Sequence, residues 1–354
     1  MAYTTINKST DYFNTTLWTG DGNSTQNVTG TGFTSDFTWN KGRSGSGDHQ
    51  LYDKVRGVQK MIISNSSNAE STNSIGLTAW SSNGFTVGSD MTGNGSTFVS
   101  WNWLANGAGS SNTDGSITST VSASTTSGFS IVKYNGTGAN ATVGHGLGVA
   151  PKVIIVKNLD NGSGYEWIIG HSDLASGGTG FSANWYMNGF GTGTRNQNAT
   201  ASWNSTSPTN SVFSLHSGAT YMNASGEANI AYCFAEKTGY SKFGSYEGNA
   251  STDGSFIYTG FKPAFVMMKG IDSGGSDNWN LCDNKRVGYN AANWRLYPNA
   301  NAGENSTSLV DLLSNGFKLR VSSTDVNADA KTYIYMAFAE APLVGSNNVP
   351  ANAR

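Results

Sequence analysis

The apolar positions of this chain come in short runs bounded by glycine, proline and small polar residues, and the runs recur. Val153-Ile-Ile-Val156 is β-branched throughout and lies between Pro151 and the polar stretch 158–164. Four to six apolar residues between breakers are too few for a helix and suit a strand buried on both faces. Phe37-Thr-Trp39 holds that place in an earlier segment and Phe265-Val-Met-Met268 in a later one. Pro151 and Pro263 set the φ at which the strand is entered without removing a central ladder donor. A second strand follows a Gly/Ser/Asp turn at residues 49–52, 165–169 and 278–282, which predicts hairpins. Residues 83–87, 211–215 and 315–319 alternate apolar and polar around a phenylalanine, as a strand with one face on a core does. Each segment closes on an aromatic-rich strand, at 98–103, 230–234 and 333–338. Helix is expected to be scarce, with residues 308–313 the best candidate.

The segments are one unit written three times. Gly20, Gly32 and Lys41 return as Gly136, Gly148 and Lys157, a shift of 116 positions, and again as Gly248, Gly260 and Lys269, a further shift of 112. Repeats decide architecture before any motif does, and a period close to the commonest domain size predicts three similar modules. The expected fold is all-β: three tandem antiparallel β-sandwich domains of jelly-roll type. Their boundaries read as 1–105, 128–238 and 239–342, with a Gly/Ser/Thr-rich linker at 106–127 that holds one further strand near 116–121, and a tail at 343–354. The long linker gives the first module freedom, whereas the short junction at 237–243 packs the second and third closely.

Composition narrows the chemistry. Of 354 residues 45 are glycine, 12% are charged and 12% are aromatic, a profile of tight turns around an aromatic interior. A formal charge of −2 supplies no basic stripe for phosphate, which argues against nucleic acid as a partner. Residues 1–11 have neither a basic start nor an apolar core, and no apolar run of about eighteen occurs, so neither secretion nor membrane insertion is marked. Asn-x-Ser/Thr triplets then read as turn composition. Cys233 and Cys282 sit among apolar residues and read as core thiols. His49, His145, His171 and His216 stand in no zinc or nucleophile motif, and carboxylates beside tryptophan such as Glu166 and Asp277 do not recur through the repeat. No catalytic residue, metal or cofactor is expected. Asp325-Val-Asn327-Ala-Asp329 has the alternating oxygens of a calcium loop, but Ala330 and Met336 replace its glycine and its bidentate acid, so it reads as an Asx-stabilised turn. Gly144-His-Gly-Leu-Gly148 reads as a turn, because no helix start or phosphate-binding lysine follows. The best binding candidates are loop aromatics with polar neighbours, able to stack on sugar rings or to meet a partner: Trp185, Tyr186, Trp203 and Trp294 with Arg295.

Five strings stand out as a set: Asp11-Tyr-Phe-Asn-Thr-Thr-Leu-Trp-Thr-Gly-Asp-Gly, Asp53-Lys-Val-Arg-Gly57, Gly239-Tyr-Ser-Lys-Phe-Gly-Ser-Tyr-Glu-Gly248, Asp283-Asn-Lys-Arg286 and Tyr335-Met-Ala-Phe-Ala-Glu340. With Tyr258-Thr-Gly-Phe-Lys-Pro263 they cover nearly the whole chain, and it resembles the repeat-built virion structural, tail-fibre-like proteins of marine tailed bacteriophages. The resemblance implies a non-enzymatic component of the virion surface, made in the host bacterial cytoplasm, with other virion proteins as partners and host-surface glycan as a second partner class. Two roles follow from it, a tail appendage or host-recognition module and a head decoration protein that reinforces the capsid; a glycan-depolymerising spike stands third. The lack of heptads favours a compact attachment over a fibre shaft. Analogy with other phage appendages implies a homotrimer.

Overall fold

The computed structural model describes residues 3–198, 200, 202–272, 277–286 and 292–345. It is all-β: the sheets are antiparallel, and α-helix is confined to two single turns, Thr220–Asn223 and Thr324–Asn327. The three repeats share one topology. In the first, Phe13–Thr19, Thr97–Trp103, Phe37–Gly42 and Gln50–Asp53 lie side by side in that order. Phe129–Asn135, Ala228–Phe234, Val153–Asn158 and Ile168–His171 repeat the order in the second, and Ser241–Glu247, Thr332–Pro342, Phe261–Gly270 and Asn280–Asp283 in the third. A smaller sheet in each repeat pairs Thr25–Thr29 with Gly84–Gly88, Ala141–Gly144 with Val212–Leu215, and Phe256–Tyr258 with Gly316–Leu319. The predicted hairpins and phenylalanine-centred strands are therefore present in all three.

The repeated glycines have separate physical causes. The first ends the opening strand under a backbone carbonyl: a Cβ at Gly20, Gly136 or Gly248 would stand 2.2, 2.3 or 2.2 Å from the oxygen of Gly93, Ala224 or Ala328. The second turns the chain in the left-handed region, at φ +84° for Gly32, +70° for Gly148 and +80° for Gly260, where a side chain is strained. Neither position tolerates another residue cheaply, which preserves the spacing through the copies.

Successive residues of the strand Val153–Asn158 feed two cores, Val153 and Ile155 on one face, Ile154 and Val156 on the other. One face of each four-stranded sheet contributes to a core of its own repeat, centred on Phe85, Phe213 or Phe317. The opposite faces meet one another in a single core that takes residues from all three repeats. At its centre the equivalent residues Trp103, Phe234 and Phe338 touch pairwise edge to face, with ring centroids 6.3, 5.5 and 5.9 Å apart. Phe190 forms a second aromatic layer against Trp39, Trp167 and Trp279, one tryptophan from each repeat. The repeats are lobes of one body, and the first, expected to have more freedom, contributes Phe13, Trp39, Trp101 and Trp103 to the common core.

Two further expectations change. The stretch 106–127 is not a bare spacer: Ser110–Asn112 and Ser119–Ser124 extend the sheet of the second lobe beyond Phe129–Asn135, and Ile117 and Val121 are buried in that lobe's own core. Residues 308–313, the helical candidate, belong to the strand Asn305–Leu313. Leu309, Leu312 and Leu313 have helical spacing, but pairing Val310 with Leu319 and Leu312 with Phe317 buries this segment against a partner strand, and that packing overrides local propensity.

Candidate functional site

The polar residues that recur with the repeat are turned inward and tie the lobes together. Lys41, Lys157 and Lys269 are each about 1% exposed or less, and each ammonium donates to two backbone carbonyls. One acceptor is near the lysine; the other lies in a neighbouring lobe, past the strand Lys60–Ile63, Trp185–Asn188 or Ala292–Arg295. Lys41 reaches Asn301, Lys157 reaches Ser67 and Lys269 reaches Thr192, at 3.3, 2.9 and 2.9 Å. First to third, third to second and second to first, these contacts close a ring. Burial brings each lysine down to about 8, with nearby carboxylates opposing the shift.

A second ring of ties runs the other way round. Asp53 clasps Arg56 at 2.5 Å and Asp283 clasps Arg286 at 2.6 Å, all four side chains fully buried. The Asp53 Oδ2 also accepts from Tyr232 Oη of the second lobe, and the Asp283 Oδ2 from Trp101 Nε1 of the first. The third copy departs in all three members. His171 and Leu174 replace the aspartate and arginine, and Met336, with no donor, replaces the tyrosine or tryptophan. His171 accepts from the Asp173 amide at Nδ1, so its Nε2 carries the proton and donates to the Tyr335 carbonyl of the third lobe at 3.3 Å. Burial lowers His171 to about 4 and holds His49 well below the usual histidine value. Both are neutral near pH 7.

The aromatic candidates do not form one site. Trp203 is 0% exposed in the second lobe's core, where Phe181 packs on it and its Nε1 donates to the Trp185 carbonyl. Trp185 is half-buried under the Arg195 guanidinium, 4.4 Å from its ring, and Tyr186 packs on the same core. In the third lobe Arg295 donates to Asp325 and Asn280 and lies over Tyr297, while Trp294 is 37% exposed. Among the candidates Trp294 alone is exposed. The calcium-like stretch is a single helical turn capped by Ser323, whose Oγ accepts from the Asp325 amide, and its Asx side chains tie distant segments: Asn327 donates to the Ser251 and Val321 carbonyls and accepts from the Asn249 amide, and Asp325 accepts from the Asn278 amide. Cys233 and Cys282 are buried free thiols pushed up to about 12 by desolvation. Among the described residues no three His, Cys, Asp or Glu side chains cluster to hold a metal, and no helix is long and apolar enough to cross a membrane.

One open feature lies in the first lobe. A cleft of about 460 Å³ is lined by Met91, Phe98 and the glycine- and serine-rich loop 42–48 with Gln50 and Asp90, and Asn40 lies covered beneath it. Past the same loop, a second depression of about 570 Å³ is lined by Arg43, Trp294 and Glu304. No motif marks Asn40. Its signal lies in the repeat, where the residue before each lysine is Asn40, Val156 or Met268.

No curated protein matches the chain. A family model, described as a domain of unknown function (DUF7483), matches residues 8–342, a range that takes in all three lobes. The chain belongs to the DUF7483 family.

Proposed function

We propose that the protein is a non-enzymatic structural component of the exterior of a tailed-bacteriophage particle, carried on a tail appendage or host-recognition assembly. The observation that carries the reading is the use made of the repeated polar groups. Lysines, aspartates and arginines that would supply catalysis on an accessible surface are buried and consumed in holding three lobes to one another. That is the economy of building material, and the resemblance of its strings to those of tail-fibre-like virion proteins supports the setting. The ring closes within one chain, so the lobes bury their inner faces without a second copy. Decoration of the head is a second reading, favoured by the same closed ring: a body with three similar faces suits a site of three-fold or quasi-three-fold symmetry.

Cryo-imaging of particles carrying a tagged copy of the chain tests the proposal. Density for the tag on the exterior is the expected result, with the tail or the head vertices deciding between the two roles. Absence of the chain from purified particles, or turnover of host polysaccharide by the pure protein, would overturn it.

A further inference from the structure

The first lobe breaks the repeat on the face that its sister lobes fill with hydrophobic residues. Thr38, Asn40, Ser100 and Asn102 stand where the second lobe has Ile154, Val156, Ala231 and Cys233, and the third Val266, Met268, Tyr335 and Ala337. Three of the four polar side chains satisfy one another: the Asn102 Oδ1 accepts from Thr38 at 3.1 Å and from Ser100 at 2.9 Å. Asn40 stands apart. It is 0% exposed, and neither its Oδ1 nor its Nδ2 has a hydrogen-bond partner. A buried amide left unpaired is destabilising, and this one lies covered just beneath the open cleft where its repeat-mates are close-packed.

The cleft sets fixed polar acceptors beside an apolar wall. Asp90 is held at its rim by the amides of Gln50 and Asn73, at 2.6 and 2.7 Å, and Asp48 by the amide of Asn65 at 2.7 Å. Gln50 is steadied in turn by the Tyr52 hydroxyl. These are positioned acceptors. The nearby cations are already engaged, Lys41 with two carbonyls and Arg43 with Glu304, so an anion would meet carboxylates in place of counter-charges. Met61, Ile63, Met91 and Phe98 supply an apolar wall. Polar groups on one side and an apolar wall on the other match a pyranose, whose hydroxyls donate and accept while its C–H face is apolar. The volume, about 460 Å³, is within the range of small-molecule sites, about 300–1,000 Å³. Ser44, Gly45 and Thr97 also line the neighbouring depression that exposes Trp294, which gives a longer saccharide a stacking platform beyond the first ring.

We propose that this cleft is a binding site for a neutral saccharide, whose binding uncovers the Asn40 amide and makes it the central contact. The assignment rests on the cleft and not on the place of the protein in a particle, so its failure would leave the structural reading standing. The test is an array of neutral and acidic oligosaccharides, followed by titration calorimetry of the wild-type chain with the best neutral binder and with the monosaccharide at its non-reducing end. Asn40→Val installs the residue of the second lobe; it should preserve or raise Tm while weakening binding at least tenfold. Asp48→Ala, at an exposed position, should weaken binding at least fivefold and serves if the first variant fails to fold. Trp294→Ala should weaken the oligosaccharide and leave the monosaccharide unchanged. No neutral binder up to millimolar concentration, a preference for acidic sugars, or wild-type affinity in a folded Asn40→Val or Asp48→Ala variant would overturn the proposal.

Discussion

At the scale of single residues, the interior is governed by charges that are buried in pairs and by titratable groups that are buried alone. Truncating one member of a buried pair weakens the compensation of the other charge, so Asp53→Ala should cost about 3 kcal/mol, measured by denaturant unfolding, because it takes from Arg56 its closest carboxylate and from the Tyr232 hydroxyl its acceptor, leaving Arg56 with Glu70 at 3.2 Å. The triple change Asp53→His, Arg56→Leu, Tyr232→Met copies the junction between the second and third lobes, where His171, Leu174 and Met336 replace all three members, and it should recover most of that loss. The groups buried alone set the pH response. Lys41, Lys157 and Lys269 titrate near 8 when folded and near 10.5 when unfolded, so between those values the unfolded chain holds protons the folded chain has released, and stability rises with pH. Tyr134, Tyr232, Tyr240 and Tyr246 are raised above 10 by burial, so above that pH the unfolded chain ionises first and stability falls. His49 and His171 are lowered below 6.5, so stability also falls as pH drops from 6.5 towards 4. Thermal melting across pH should show Tm climbing from 8 to about 10, with a smaller climb in Lys157→Met.

At the scale of elements, the repeat made the strands legible because each is short, bounded by breakers and written three times. What it could not show was pairing. Leu309, Leu312 and Leu313 fit a helical stripe as well as a strand, and the decision fell to a partner, Gly316–Leu319, whose position depends on the fold. The same limit hid the strands within 106–127: Ser119–Ser124 is nearly all small and polar, and it is ordered by the sheet it joins. Among site residues, the strings 53–56 and 283–286 stood out only through a family resemblance, and nothing in them says that the acid clasps the arginine or reaches a neighbouring lobe. The turn at Thr324–Asn327 was legible as a turn, but its Ser323 cap and the distant segments that Asp325 and Asn327 hold, at 249–251 and 278, were not. Its stability should come from Asn327, which satisfies two carbonyls and one amide. Asn327→Ala should therefore cost about 1–3 kcal/mol, while calcium or a chelator leaves the Tm of the wild type unchanged.

At the scale of the molecule, three modules in tandem would be expected to unfold separately, as multidomain chains of this length usually do. The common core forbids it. Removing any lobe strips the edge-to-face partners from two of Trp103, Phe234 and Phe338, exposes the inner faces of both remaining sheets and cuts the lysine ties at two junctions. Neither face has a substitute cover, because the outer faces are occupied by the lobes' own smaller sheets. The chain should accordingly melt in one calorimetric transition whose van't Hoff enthalpy equals its calorimetric enthalpy, despite 354 residues. Trp103→Ala, about 3–5 kcal/mol destabilising, should lower that single transition as a whole and not split off a first-lobe step. A fragment ending at residue 238, at the boundary between the second and third repeats, should be aggregation-prone and lack a cooperative melt. Two resolved transitions in the intact chain, or a fragment 1–238 that melts cooperatively as a monomer, would show that the lobes are stable apart and that the central aromatic core is a contact between finished domains.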